Sequence, residues 1–179
     1  MLILLTGQSG AGKSTACWKA LPRLRASGIK LAGFIAPALL DESGRKTGIE
    51  MVDLSTGEHQ TLARLAKPGE NATIGIYRMV EGATEWARRV MSAALIANID
   101  WLVIDEIGPL ELHHGGGFAF ALEPLGDPVQ VPNAIVTVRE SLVDELAERL
   151  GRLDTLRIHV TADARGQLPD YLASLVRSA

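Results

Sequence analysis

The segment that most constrains this chain is Gly-Gln-Ser-Gly-Ala-Gly-Lys-Ser-Thr at residues 7–15, which directly follows the apolar run 2–6. It satisfies the pattern G-x-x-x-x-G-K-[S/T], with a strand-like run before it and a helical pattern after it, as in loops that bind phosphate. Glycines let the backbone approach a ligand closely, so that successive N–H groups point into one concavity. The free N–H groups at the start of the following helix add partial positive charge. We therefore expect this segment to bind the phosphate groups of a nucleotide.

Both backbone and side chains contribute to the predicted nucleotide site. Lys13 supplies a cation for the β- and γ-phosphates, and the Ser14 hydroxyl is a suitable hard ligand for Mg²⁺. The residues predicted to contact the nucleotide in this loop are Gly7, Gln8, Ser9, Gly10, Ala11, Gly12, Lys13, Ser14 and Thr15. The expected ligand is a nucleoside triphosphate, ATP or GTP, and the expected cofactor is Mg²⁺.

The rest of the composition is that of a globular protein. With 179 residues, of which 47% are hydrophobic and 22% charged, we expect one domain over residues 1–179. A net charge of −3 without a basic cluster argues against nucleic acid as a main partner, while a protein partner stays open. Cys17 is the single cysteine and we expect it to be buried; residues 1–5 are too short for a signal peptide, and no run is long enough to span a membrane. We therefore expect a cytoplasmic protein.

Strand and helix patterns alternate along the chain. We expect strands at 2–6, 31–40, 49–54, 59–63, 73–77, 101–106, 134–138 and 156–160, and helices at 13–25, 83–95, 142–150 and from Pro169 onward. Pro22 predicts a kink or an early end of the first helix, and Ser141 with Asp144 predicts a capping box. The run 49–54 alternates as an exposed strand does.

These patterns predict an α/β fold. The runs 101–106 and 134–138 are apolar without alternation, which is typical of strands buried on both faces of a parallel sheet. We expect the three-layer P-loop NTPase fold, with a mostly parallel central sheet and helices on both faces. The short runs at about 34–63 predict an antiparallel meander. It either frames the nucleotide or covers an edge of the sheet, and we favour the edge.

Two adjacent acids complete the expected site. Asp105 and Glu106 end the apolar run 101–106, which places their carboxylates at the edge of the sheet where ligands bind in open α/β folds. We expect Asp105 to hold Mg²⁺ directly or through water. Glu106 points elsewhere and is placed to polarise an attacking water molecule.

A second acid directly after the metal-binding acid is typical of ATPases of the additional-strand class. In that class the next strand, here 134–138, inserts between the metal strand and the phosphate-loop strand. A polar residue at its end senses the γ-phosphate, which makes Thr137 the candidate and Arg139 the alternative. The guanine-recognition pattern N-K-x-D has no match in the chain.

Taken together, these segments resemble the THEP-type nucleoside triphosphatases. The resemblance rests on residues 7–15, on Gly33-Phe34 with Arg45 and Gly48, on the Gly57-Glu58 turn, and above all on Asp-Glu-Ile-Gly-Pro-Leu-Glu-Leu at 105–112. It implies hydrolysis of nucleoside triphosphates with Mg²⁺, a RecA-like sheet and broad tolerance of the base. It also implies that Glu106 is the base and that Glu111 is a structural neighbour of the site.

The chain departs from this family at three positions. Pro109 stands where the family usually has lysine. A histidine is usual just after the sensor threonine, whereas here Thr137 is followed by Val138 and Arg139. The segment 161–165 lacks the family's asparagine, which leaves Arg165 as a candidate for contact with the base or a phosphate. We expect the segment 113–117, His-His-Gly-Gly-Gly, to be a flexible insertion beside the acids. It is either a plain loop or a mobile lid, and we favour the plain loop.

Two other functions stay open at this point. A small nucleotide or metabolite kinase would need an acceptor pocket and an arginine-bearing lid, and the arginines here are scattered. A nucleotide-dependent switch or assembly factor would couple slow hydrolysis to a partner. The base preference, the pathway and the oligomeric state are not indicated, nor is a catalytic part for Glu111, Arg139 or the loop 113–117.

Overall fold

The computed structural model describes residues 1–73, 75–161, 163 and 166–178. Within these residues the strands are Leu2–Gly7 (β1), Leu31–Ile35 (β2), Ala38–Leu40 (β3), Lys46–Asp53 (β4), His59–Leu65 (β5), Tyr77–Met79 (β6), Trp101–Ile107 (β7), Ala134–Arg139 (β8) and Thr155–His159 (β9). The α-helices are Lys13–Ala26 (α1), Ala83–Ile96 (α2), Pro109–His114 (α3), Leu122–Gly126 (α4), Val143–Leu150 (α5) and Leu168–Ser178 (α6). None of the helices described is both long and apolar enough to cross a membrane.

All nine strands belong to one mixed sheet, in the order β6-β5-β4-β2-β7-β8-β1-β9, with β3 paired to β4. The strands β2, β7, β8, β1 and β9 run parallel. The strands β3 to β6 join this half through antiparallel pairing of β4 with β2. The sheet therefore consists of a parallel half, β2-β7-β8-β1-β9, and an antiparallel half, β3 to β6.

Alternate side chains of the parallel strands enter two separate cores. On β1, Ile3 and Leu5 pack in the core beneath α1 and α6. Leu2 and Leu4 face the opposite core, which α2 and α5 cover. Because the strands are covered on both faces, apolar residues fill them without alternation. This arrangement of a mixed sheet between helices confirms the predicted α/β fold, although only the half β2-β7-β8-β1-β9 is parallel.

The order of the strands also confirms the additional-strand class. β8 pairs with β1 on one side and with β7 on the other. The strand that follows the acidic pair in sequence is therefore inserted between that pair and the phosphate loop. Consequently β8 brings its carboxyl end between the two segments from which the site was predicted.

The predicted strand 31–40 is wrong as a single element, because it divides into β2 and β3 at Pro37. Proline has no backbone N–H for a sheet, and the N–H of Ala36 is donated to a side chain, Asp105. The run 49–54 is also not an exposed strand: Met51, Val52 and Asp53 are buried. They lie where β4 pairs with β2, so that both cores cover this end of the strand.

Three further local predictions differ from the structure. The strand expected at 73–77 lies instead at Tyr77–Met79, since the N–H of Thr73 donates to the Tyr77 carbonyl within a turn. Pro22 does not end α1, which continues to Ala26. The capping box at Ser141 is absent, because a 3-10 turn at Glu140–Leu142 precedes α5 and makes Leu142 its N-cap.

Candidate active site

The phosphate loop connects β1 to α1, as the pattern predicts. Gly12 has φ 101° and forms the N-cap of α1, a left-handed conformation that residues with a Cβ rarely adopt. The first N–H groups of α1 have no partner within the helix and no side-chain cap from the described residues, so they are available to an anion. The buried Lys13 ammonium donates to the carbonyls of Gly7 at 3.0 Å and of Gln8 at 3.2 Å. Its charge is therefore held directly over the loop.

Asp105 is the point where three elements meet. Its Oδ1 accepts hydrogen bonds from Ser14 Oγ at 3.0 Å and from Thr137 Oγ1, and its Oδ2 accepts one from the Ala36 N–H at 3.0 Å. Burial raises the pKa of Asp105; the three hydrogen bonds lower it and the charge of Glu106 raises it. The carboxylate is thus fixed in place by α1, β8 and the chain after β2.

Glu106 uses different partners from its neighbour. Its Oε2 lies 3.9 Å from Lys13 Nζ, and its Oε1 lies 3.4 Å from Arg139 Nε. The pairing of β7 with β8 shifts register between Ile104 and Ile107, which inserts one extra residue into β7 at the acidic pair. Such irregularities re-aim side chains beside active sites. Here two consecutive acids both reach the residues that begin α1.

Glu111 organises the segment that follows the acids. Its Oε2 accepts a hydrogen bond from the Gly108 N–H at 2.8 Å, and its Oε1 accepts one from the Phe118 N–H at 3.1 Å. A Cβ on Gly117 would lie 2.0 Å from Glu111 Oε1, so this carboxylate packs against the glycine backbone. Burial raises the pKa of Glu111, an effect opposed by the two backbone donors. These hydrogen bonds of Glu111 support the loop and do not involve Asp105 or Glu106.

Other residues singled out from the sequence lie apart from these contacts. Cys17 is buried on the inner face of α1, and burial raises the pKa of its thiol. His113 and His114 end α3 rather than lie in a loop, and His113 Nε2 is 3.0 Å from Glu145 Oε2. In the chain as far as it is described, no three His, Cys, Asp or Glu side chains form a metal-binding group. Arg165 lies outside the described residues.

The sequence did not predict two of the contacts at the acids. The Ala36 N–H reaches Asp105 because the chain leaves β2 before Pro37. Pro37 is the one sequence feature that could have indicated this contact. Arg139 was considered as a sensor of the γ-phosphate, whereas in the structure it pairs with Glu106. No sequence pattern predicts the register shift between β7 and β8 that brings Arg139 and Glu106 together.

The donor set fits a hydrated Mg²⁺ ion. Ser14 and Asp105 present a hydroxyl and a carboxylate whose oxygens are 3.0 Å apart at the start of α1. Mg²⁺ prefers such oxygen ligands and usually keeps several water molecules while binding one or two protein groups and the phosphates of a substrate. The same two residues were predicted as metal ligands from the sequence, and their arrangement is compatible with that role.

Comparisons with known proteins identify the family of the chain. The model of the NTPase family matches residues 2–173. The chain is 32% identical over 173 residues to the nucleoside-triphosphatase THEP1 of Methanopyrus kandleri, covering 95% of this chain and 92% of that protein. It is 29% identical over 180 residues to the nucleoside-triphosphatase THEP1 of Hyperthermus butylicus, covering 99% and 91%.

A solved structure has the same fold. The crystal structure of THEP1 from Aquifex aeolicus superposes with a TM-score of 0.71 at 24% sequence identity, over 98% of this chain and 99% of that one. The resemblance drawn from the motifs is thus confirmed by sequence over most of the chain and by architecture. The chain therefore belongs to the NTPase family, whose members are hydrolases of nucleoside triphosphates.

Proposed function

We propose that this protein cleaves the bond between the β- and γ-phosphates of a nucleoside triphosphate in a reaction that requires Mg²⁺. One observation carries the proposal: the residues that begin α1 contact both acids, Ser14 touching Asp105 and Lys13 facing Glu106. A phosphate loop and an acidic pair in contact are the two parts that triphosphate hydrolysis requires. The relatives named nucleoside-triphosphatase support the same reaction.

The loop binds the phosphates in this proposal. The free N–H groups at the start of α1 and the glycine-rich backbone accept the negatively charged oxygens. Lys13 now donates to two carbonyls of the loop, at 3.0 and 3.2 Å, and exchanges these weak acceptors for phosphate oxygens. The nucleotide-contacting residues remain those of the loop, 7–15, together with Arg165.

Ser14 and Asp105 would hold the metal. Bound Mg²⁺ neutralises charge on the β- and γ-phosphate oxygens. Asp105 keeps its orientation through the Ala36 N–H and through Thr137. Thr137 is buried and touches Asp105, so it senses the γ-phosphate through this carboxylate rather than as an isolated group.

Glu106 orients the attacking water. Its side chain is 34% exposed, whereas Asp105 is buried, so a water molecule can reach it. The water oxygen forms a bond to the γ-phosphorus, the bond from that phosphorus to the bridging oxygen breaks, and the electron pair stays on the diphosphate. Glu106 accepts one proton of the water and returns it to solvent, the other proton stays on the inorganic phosphate, and the second product is the nucleoside diphosphate.

The substrate base, the location and the domain organisation belong to the proposal as well. ATP and GTP are both expected substrates. The contacts described for the site involve residues that would bind the triphosphate, which ATP and GTP have in common. A cytoplasmic location is supported by the single, buried Cys17. One domain over residues 1–179 is supported by the sheet, whose nine strands join early and late parts of the chain.

The test is phosphate release from ATP, GTP, CTP and UTP with and without Mg²⁺, for the native chain, Glu106→Gln and Glu148→Gln. Glu148 is an exposed glutamate on α5 and serves as the matched control. We expect Glu106→Gln to bind nucleotide as the native chain does and to lose about 100-fold or more in turnover. Formation of a phosphorylated product from an added acceptor, with little phosphate release in its absence, would indicate a kinase instead. Native turnover by Glu106→Gln would exclude the assigned role.

A further inference from the structure

The Glu106 carboxylate lies between two cations. Oε2 is 3.9 Å from Lys13 Nζ, and Oε1 is 3.4 Å from Arg139 Nε. The two cations differ in their surroundings, since the Lys13 side chain is 4% exposed and that of Arg139 is 41% exposed. Each oxygen of this carboxylate therefore has its own partner, and each partner comes from a different element.

The position of Arg139 follows from the order of the strands. Arg139 is the last residue of β8 and lies directly opposite Gly7, the first residue of the phosphate loop, in the pairing of β8 with β1. On the other side of β8, Val138 lies opposite Ile107, just after the extra residue in β7. Arg139 thus stands between the start of the phosphate loop and the end of the strand that carries Glu106.

Substrate binding affects the two partners differently. Lys13 belongs to the phosphate loop, and once a triphosphate is bound its ammonium is engaged by phosphate oxygens. Of the two cations described near Glu106, Lys13 and Arg139, only Arg139 is then left to pair with this carboxylate. Arg139 belongs to β8 and not to the phosphate loop, so its contact with Glu106 is retained when a triphosphate binds.

We infer that Arg139 is a positioning residue for Glu106: its guanidinium holds Oε1 and leaves Oε2, the oxygen on the Lys13 side, directed at the attacking water. This inference rests on the proposed function, because it requires Glu106 to orient that water. It assigns to Arg139 an action through Glu106 and no contact with the nucleotide. The two actions differ in their dependence on Glu106: a positioning residue has no further effect on turnover once Glu106 is replaced, whereas a residue that contacts the phosphates still has one.

The first test is steady-state hydrolysis of ATP and GTP by Arg139→Gln and Arg139→Lys, with nucleotide binding measured separately. We expect Arg139→Gln to reduce kcat at least about tenfold, with KM and the nucleotide Kd within about twofold of the native values. Arg139→Lys restores part of kcat because it returns the charge. Arg157→Gln is the matched control, since Arg157 is 47% exposed on β9 and pairs with Asp144 away from the acids.

The second test places Arg139→Gln in the Glu106→Gln background. If Arg139 acts through Glu106, the double variant turns over no more slowly than Glu106→Gln alone. A further loss, or an increase in Kd at unchanged kcat, overturns the inference in favour of direct contact with the nucleotide. If Glu106→Gln is slow and Arg139→Gln is as fast as the native chain, the inference alone fails. If Glu106→Gln is itself fast, the proposed role of Glu106 fails first.

Discussion

The two halves of the sheet differ in how they are covered and in what they contribute to the site. Strands β1 and β8 of the parallel half are buried between two cores for nearly their whole length. The strands β3 and β6 of the antiparallel half have only exposed or half-buried residues. The hydrogen bonds and ion pairs described for Asp105 and Glu106 come from the parallel half, from α1 and from Ala36, where the two halves meet.

This difference indicates where precision is required. Side chains that must hold a metal and a water molecule in place are best built on rigid elements with packed surroundings. The antiparallel half extends one edge of the sheet, which agrees with the expectation that the meander covers an edge. Substitutions in the parallel half should therefore affect turnover and stability, while matched substitutions in the antiparallel half should have smaller effects.

The largest expected effect is on Lys13. Lys13→Ala removes the cation over the phosphate loop, so we expect hydrolysis to fall by about 1,000-fold or more. Lys46→Ala is the matched change in β4, where Lys46 Nζ lies 5.0 Å from the centre of the Tyr77 ring. We expect that variant to hydrolyse nucleotide as the native chain does. Phosphate release measures both, and equal losses would show that the two halves do not differ as argued.

The next effect is on stability. Leu4 is fully buried on β1 of the parallel half, and Leu62 is 6% exposed on β5. We expect Leu4→Ala to reduce the free energy of unfolding by about 3–5 kcal/mol and Leu62→Ala by about 2–3 kcal/mol. Chemical denaturation of both variants measures the difference. A larger loss for Leu62→Ala would contradict the view that the parallel half is the better packed of the two.

The sequence predicted the parallel half more accurately than the antiparallel half, and the reason is physical. A run such as 134–138 is apolar on both faces and can lie only in a covered strand, so its extent is readable to within one residue. In the antiparallel half burial changes along a single strand. Ile49 and Glu50 of β4 are half-buried, while Met51 and Val52 are buried, and local alternation cannot show where β2 begins to cover them.

The contacts of the candidate site could likewise be predicted from the sequence only in part. The motif pattern and strand order placed Ser14 near Asp105, and the two side chains are in contact in the structure. The partners of Glu106 were not readable, because they depend on the register shift between β7 and β8. The Ala36 N–H was missed because a backbone donor has no signature in the identity of its residue.

A third prediction concerns Thr137. Thr137→Val keeps the shape of this buried side chain and removes its hydrogen bond to Asp105. Because Asp105 retains its two other donors, we expect turnover to fall about tenfold, with the fold intact. Thr47→Val is the matched change in β4, where the hydroxyl donates to the Leu39 carbonyl at 3.3 Å, and should leave turnover unchanged. Native turnover by Thr137→Val would remove Thr137 from the site.

The smallest expected effect is the pH dependence of an ion pair in the antiparallel half. Hydrogen bonds from Arg64 lower the pKa of Glu70 to about 2. Because the folded-state pKa is below the unfolded value, the pair stabilises the protein at neutral pH and this stabilisation is lost as pH falls toward 2. We expect Glu70→Gln to have a slightly lower Tm than the native chain at pH 7.

The Tm difference between Glu70→Gln and the native chain should shrink as pH falls from about 5 to 2, because the carboxylate of the unfolded chain is protonated first and that of the folded chain only near pH 2. Glu42→Gln, at an exposed position in the β3–β4 connection, is the control. Thermal unfolding followed by circular dichroism measures these differences. A difference that grows on acidification would show that this pair does not stabilise the fold.

The most direct test of the central claim is a crystal structure of the Glu106→Gln variant with ATP and Mg²⁺. We expect the triphosphate at the start of α1, with its oxygens in contact with the N–H groups of the loop and with Lys13. We also expect the metal beside Ser14 and Asp105, and a water molecule between the γ-phosphate and residue 106. A nucleotide bound away from α1, or a metal bound without Ser14 and Asp105, would contradict the claim.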